Sequence, residues 1–161
     1  MTTRLTHQLT YPAPLEEVAA MLRDPTFRQQ VCQGQKALES SVEVETEGAT
    51  TSVTVSRVLE ARGIPSFAAK VVGDRIEVVQ TETWHDHERA DYRVEIPGKP
   101  GEITGTAVLT ESGGTTTETV SLDIGIRIPL VGGKLEGLIR DLLVKALDVE
   151  VRVGRDYLAG L

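Results

Sequence analysis

A chain of 161 residues, 40% hydrophobic and 25% charged, is long enough to bury a core of its own and has the make-up of one globular domain. Its formal net charge of −7 argues against nucleic acid as a partner and against docking on anionic headgroups. No run of 18 apolar residues is present, which predicts no integral membrane association. The opening Met1-Thr2-Thr3-Arg4 lacks the apolar stretch of a signal peptide, and a lone cysteine, Cys32, permits no internal disulfide, so the expected location is cytoplasmic.

Leu5, His7, Leu9 and Tyr11 alternate with polar residues and predict a half-buried first strand. Tyr11-Pro12-Ala13-Pro14 stops it. Pro14 suits a first helical position, Glu16 and Glu17 suit the positive end of a helix dipole, and Val18, Met21 and Leu22 share a face. Asp24-Pro25 starts a second short helix, with Phe27 and Val31 four apart and Gly34 able to close it. The period then changes to two. Val42 and Val44, then Val53 and Val55 after a turn at Gly48, form apolar faces opposite Glu, Ser and Thr. Gly63, Pro65 and Gly73 break the next segment, with one helical turn at Phe67-Ala68-Ala69. Strands follow over Ile76 to His85 and over Ala90, Tyr92, Val94 and Ile96. After the loop Pro97-Gly98-Lys99-Pro100-Gly101 comes a strand through Ile103, Gly105, Ala107 and Leu109, a hairpin turn at Ser112-Gly113-Gly114, and a last strand alternating through Val120, Leu122, Ile124, Ile126 and Ile128.

From Gly132-Gly133 to about Leu158 the period is that of a long amphipathic helix, roughly 35 to 40 Å in length. Leu135, Leu138, Ile139, Leu142, Ala146, Val149, Val153 and Tyr157 form its apolar stripe. Glu136-Arg140, Asp141-Lys145 and Asp148-Arg152 place an acid four residues before a base on its other face. Neither a sheet nor a lone helix can bury its apolar face by itself. The expected fold is therefore α+β, one domain over residues 1–161. A curved antiparallel sheet of about seven strands wraps around the C-terminal helix, and two short helices after the first strand block one end. This is the helix-grip arrangement.

The whole chain resembles the START-like (SRPBCC, plant-pollen-allergen-like) superfamily, and within it an uncharacterised, mainly actinobacterial branch. The resemblance is carried by Tyr11-Pro12-Ala13-Pro14, Ile64-Pro65-Ser66-Phe67-Ala68, Gln80-Thr81-Glu82-Thr83-Trp84, and the stretch from Ile128-Pro129-Leu130 through Gly132-Gly133-Lys134-Leu135-Glu136. It implies a ligand held between sheet and long helix. Members of the superfamily include cyclases, hydrolases, lipid carriers and protein-binding modules, so the resemblance assigns no activity and no site motif.

The residues themselves point to one anomaly. Ile76, Val78, Gln80, Glu82 and Trp84 share a face that reads as interior, which places an amide and a carboxyl among apolar groups. A buried carboxylate needs a partner, and Arg57, on the face of Val53 and Val55, is the expected one. His7 and Tyr92 add polar tips on inward faces, and Leu138 and Leu142 supply a helical wall. One reading is a pocket lined by His7, Arg57, Val78, Gln80, Glu82, Trp84, Tyr92, Leu138 and Leu142 that orients a mostly apolar ligand. The other is a bulge that turns Glu82 and Arg57 into solvent. His85-Asp86-His87-Glu88 reads as a solvated hairpin turn, since no third metal ligand has a matching spacing. Cys32 reads as a buried structural thiol.

The sequence contains no nucleophile elbow, phosphate loop or dinucleotide fingerprint. No catalytic residue, cofactor or metal is assigned. The expected function is binding of a small hydrophobic or amphipathic ligand, lipid-like or polyketide-like, by a monomer or weak dimer. The alternatives are an enzyme of the same fold using Glu82, His7 or Tyr92 for proton transfer, and a protein-interaction module with a filled interior.

Overall fold

The structure, a computed structural model, describes residues 2–160. Strand β1 (Thr3–Tyr11) leads into helices α1 (Leu15–Leu22) and α2 (Pro25–Gly34). Strands β2 (Glu39–Glu47) and β3 (Thr50–Glu60) follow, then helix α3 (Ser66–Val72), strands β4 (Arg75–Trp84), β5 (Arg89–Glu95), β6 (Glu102–Ser112) and β7 (Thr115–Gly125), and helix α4 (Gly132–Leu158). The seven strands form one antiparallel sheet in the order β1-β7-β6-β5-β4-β3-β2. It is the α+β helix-grip architecture expected from the alternation of periods. Among the described residues, no helix is long and apolar enough to cross a membrane.

The pleat sorts the residues onto two faces. Leu5, Leu9 and Tyr11 of β1, Val53 and Val55 of β3, Ala90, Tyr92 and Val94 of β5, and Val120, Leu122 and Ile124 of β7 are buried, while the alternate positions meet solvent more. Asp24 caps α2 through Thr26 N–H, which donates to its Oδ1 at 2.9 Å, with Pro25 at the first helical position.

Three sequence expectations need correction. Strand β7 ends at Gly125, so Ile126 and Ile128 lie outside the sheet. Its neighbours run out: β6 begins at Glu102, opposite Gly125, and β1 begins at Thr3, opposite Ile124. The helical turn at Phe67-Ala68-Ala69 is longer than expected, covering Ser66–Val72. The charge pairs predicted along α4 do not form as drawn among the described residues. Glu136 turns inward, accepting from Thr3 Oγ1 at 2.8 Å and from Ile126 N–H at 2.9 Å. Asp148 meets His7 Nε2 at 2.9 Å.

The buried face of α4 is also rotated from the predicted stripe. Gly132, Leu135, Glu136, Leu147, Glu150 and Gly154 are its deeply buried positions. The helix leans on β1, β7 and α2. At Gly154 the approach is closest: a Cβ there would lie 2.5 Å from Tyr11 Cε1 and 3.2 Å from Met21 Cε. Gly137, one helical stretch earlier, has nothing within 4 Å of such a Cβ. A Cβ thus has no room at Gly154 and open space at Gly137.

Gly154→Ala is expected to destabilise the protein by about 1–3 kcal/mol through overpacking. Gly137→Ala should stabilise it by about 0.5–1 kcal/mol through helix propensity alone. Urea unfolding midpoints of the two variants, measured side by side, check the opposite signs.

Candidate functional site

Two features occupy the space between sheet and α4. The larger is a cavity of about 310 Å³ beside the first half of the helix. Leu138, Ile139, Leu142 and Ala146 form its helical wall, Val71 and Val72 of α3 close one side, and Val78, Val94 and Ile103 form part of the sheet floor. Ile126 and Ile128, which the shortened β7 leaves free of the sheet, complete the lining. Exposed charged residues (Glu60, Arg62, Lys99, Glu102 and Lys145) stand at its edge, and Gln35 and Arg57 contribute the interior polar groups. A second hollow of about 10 Å³ is bordered by the same Gln35 and Arg57 together with Gln80, Tyr92 and Glu150.

The other feature is a buried polar network behind the cavity. Alternation on β4 sends Gln80, Glu82 and Trp84 inward together. Arg28 of α2 grips Glu82 with both ends of its fork, Nη1 to Oε2 at 2.9 Å and Nη2 to Oε1 at 2.8 Å. Its Nε donates to Leu22 O at 2.8 Å, and its Nη1 lies 3.5 Å from Glu150 Oε1. Gln80 Nε2 donates to Glu82 Oε2 at 2.6 Å, and Trp84 Nε1 donates to Oε1 at 3.1 Å. Glu82 thus accepts four hydrogen bonds and is held as an ion-pair partner. Arg57 Nη2 donates to Gln80 Oε1 at 3.2 Å, one step further out.

The predicted site residues therefore divide. Arg57, Val78, Leu138 and Leu142 border the large cavity. Gln80 and Tyr92 border the small hollow. Glu82 and Trp84 are buried but border neither, and the expected Arg57–Glu82 pair is replaced by Arg28–Glu82. The reading that turns Glu82 and Arg57 into solvent fails, since both are buried. His7 also lies outside both cavities, because its ring turns toward Asp148 on the rim of α4.

Sequence reasoning missed Arg28, Glu118 and Glu150. Each carried a readable signal. Arg28 lies three and four residues before Val31 and Cys32, on the buried face of α2. Glu118 has the parity of Val120 and Leu122. Glu150 lies between Leu147 and Gly154 on the buried face of α4.

Burial sets the titration of these carboxyls. Glu150 is pushed up to about 7 by desolvation, with Arg28 pulling it down and Glu82 pushing it up. Glu118 rises well above the usual carboxylate range, again through burial first and then through Glu150 and Glu82. Its Oε1 and the Tyr11 hydroxyl have no hydrogen-bond partner among the described residues. Desolvation likewise pushes the Tyr11 and Tyr92 phenols well up, and it raises the buried Cys32 thiol. The hairpin histidine His85 meets Asp91 Oδ2 at 2.8 Å in solvent. No group of three or more His, Cys, Asp and Glu is arranged to hold a metal ion among the described residues.

A family model described as "Protein of unknown function (DUF2505)" matches residues 6–158. The chain belongs to the DUF2505 family. Uncharacterized protein Rv0481c of Mycobacterium tuberculosis and uncharacterized protein Mb0491c of Mycobacterium bovis are each 31% identical to it over 110 residues. That match spans 64% of this chain and 63% of the relatives' length. Among solved structures, TTHA0849 from Thermus thermophilus is similar at a TM-score of 0.67 and 22% identity, with 98% of each chain covered. The di-domain ARO/CYC StfQ from the steffimycin biosynthetic pathway is similar at 0.69 and 10% identity over all of this chain and 53% of its own. Ara h 8.0201 is similar at 0.64 and 12% identity over 100% of both chains. At such identities the likeness is one of fold, and the fold fits the START/SRPBCC-like helix grip. This member of the DUF2505 family thus combines that fold with a carboxyl-rich interior.

Two outcomes follow from the network. Removing Arg28 leaves Glu82 buried without its ion partner, so Arg28→Met is expected to cost about 3–5 kcal/mol, measured by chemical unfolding. Glu150 binds its proton more tightly in the folded than in the unfolded chain. The stability this provides is fully present below the ordinary glutamate range and is lost as pH rises through about 7. Melting temperature should therefore fall between about pH 5 and pH 8, and Glu150→Gln should flatten that slope and melt higher than wild type at the upper end.

Proposed function

We propose that this protein binds a small hydrophobic or amphipathic molecule, lipid-like or polyketide-like, in the cavity between α4 and the sheet. The observation that carries this reading is the cavity itself. At about 310 Å³ it falls at the lower end of ordinary ligand sites, and its wall is dominated by aliphatic side chains with a few convergent polar groups. Leu142 keeps 43% of its surface exposed even though it sits in the apolar stripe of α4. That exposure suits a wall that meets a ligand better than one that meets a core. A protein-interaction module with a filled interior is disfavoured by the same volume.

Proton-transfer catalysis is the second reading. It is supported by Glu150, pushed up to about 7, and by Tyr92, both bordering the small hollow next to the cavity. Against it, Glu82 is locked by four hydrogen bonds and is unsuited to act as a mobile base. Binding is therefore the primary reading.

The neutral fluorophore N-phenyl-1-naphthylamine reports on such a site by brightening when it leaves water. Wild-type protein should enhance its emission saturably with one site per chain. Leu138→Trp, which places an indole in the cavity, should weaken the probe by at least about tenfold, a change of about 1.4 kcal/mol. Glu150→Gln should leave probe binding intact under the binding reading. No enhancement by the wild type, or equal binding by a folded Leu138→Trp variant, would overturn the assignment.

A further inference from the structure

Of the two buried arginines, Arg57 is the one that the protein itself leaves less satisfied. It enters the interior from β3 and is 6% exposed. Its one side-chain hydrogen bond goes to a neutral amide, the Oε1 of Gln80, at 3.2 Å. Its Nε has no partner, and no carboxylate lies within 4.0 Å of its guanidinium among the described residues. Arg28, at the same depth, is the internal comparison: it has all three nitrogens engaged and two carboxylates around it. A guanidinium offers five N–H donors in a fixed fork and does not neutralise itself by losing a proton. A buried cation without an anion is costly, which is why such groups are normally paired.

The position of Arg57 is specific. It borders both the large cavity and the small hollow, and so does Gln35, whose Oε1 is also unpartnered. Inside the charged edge, the polar capacity of the chamber is thus Arg57 and Gln35, on a wall that is otherwise mostly aliphatic. We propose that the molecule held in this cavity carries a carboxylate, bound inward on Arg57, with its apolar body lying along Leu138 and Leu142. This rests on the reading of the cavity as a ligand site and adds the chemical class and orientation of what occupies it.

The charges facing Arg57 from every side agree with a single negative headgroup. Gln80 and Tyr92 reach it from the sheet as neutral groups, Gln35 and Cys32 come from the α2 side, and Glu150 comes from α4. Glu82 is committed to Arg28. Of the other buried carboxyls, Glu136 is engaged with Thr3 and Ile126 N–H at the start of α4, and burial raises Glu118 and Glu150. A planar carboxylate matches the guanidinium fork. A doubly charged phosphate would bring a charge that the aliphatic wall cannot compensate.

Three chains of equal length and different heads test this: octanoate, octan-1-ol and methyl octanoate, each titrated as a competitor of N-phenyl-1-naphthylamine at about pH 7.5. On wild type, octanoate should displace the fluorophore at least about tenfold more effectively than the alcohol or the ester. Arg57→Met should bring the three chains level when each is compared with that variant's own fluorophore affinity. Arg57→Lys, which keeps an interior cation without the fork, should retain part of the preference, and it serves as the informative variant if Arg57→Met fails to melt cooperatively. Equal displacement by all three chains on wild type overturns the headgroup assignment and leaves the cavity reading standing. So does an octanoate preference that survives in folded Arg57→Met, or fluorophore binding that none of the chains disturbs. Absence of binding by the fluorophore and by every chain takes down both.

Discussion

Helix α4 is fastened at its two ends by different means, and the space between those fastenings determines what the protein can hold. At its start, the Glu136 carboxylate takes Ile126 N–H and the Thr3 hydroxyl. Toward its end, Gly154 lets the backbone settle against Tyr11 and Met21, and Gly34 of α2 lies close under Val149 and Val153. A 27-residue helix spans about 40 Å, longer than a strand of the sheet beneath it. The sheet is curved, so a straight rod can touch it closely at β1 and β7 and stand away from it elsewhere. The 310 Å³ cavity lies where the helix stands away.

The network around Glu82 has a different task. Arg28 reaches from α2 to β4 and toward Glu150 on α4, so a single side chain ties two helices to the sheet. Packed hydrophobic residues in place of the whole Arg28–Glu82 pair could hold that junction at comparable stability. The ionic version adds directional constraint: the fork fixes how α2 sits on β4, and Trp84 and Gln80 fix the carboxylate that it grips. The cost of this arrangement appears nearby, where Glu118 and Tyr11 are buried with unpartnered oxygens and Glu118 titrates far above its ordinary range. The network and the cavity meet at Arg57, which the Gln80 amide links to Glu82.

Most elements of the fold were legible from local patterns. The change of hydrophobic period from two to 3.6 after Gly132 announced the long helix, and Asp24-Pro25 marked the start of α2 by capping chemistry alone. Strand β7 was misjudged at its end because Ile126 and Ile128 continue the alternation that defines a strand. Whether alternation becomes a ladder depends on neighbours, and the neighbours stop. The candidate site was legible in part. Parity along β4 placed Gln80, Glu82 and Trp84 in the interior together, but parity carries no information about which distant side chain arrives opposite them.

The sequence by itself determined which residues alternate, where the chain turns, and that a sheet and a long helix must cover each other's apolar faces. It also raised, as one of two readings, that polar groups on β4 would be trapped inside. Only the tertiary structure decided which partners those groups found. Arg28 rather than Arg57 holds Glu82, because α2 brings the Arg28 fork within reach of that carboxylate. His7, on an inward-reading strand, turns to Asp148 instead of lining the cavity. The packed side of α4 carries Leu147 and Glu150, outside the predicted stripe, whereas Leu138 and Leu142 of that stripe line the cavity. The reason is geometric. Periodicity fixes a side chain's direction about its own element, whereas contact depends on the rotation and crossing of one element over another, and those are set by packing across the whole interior.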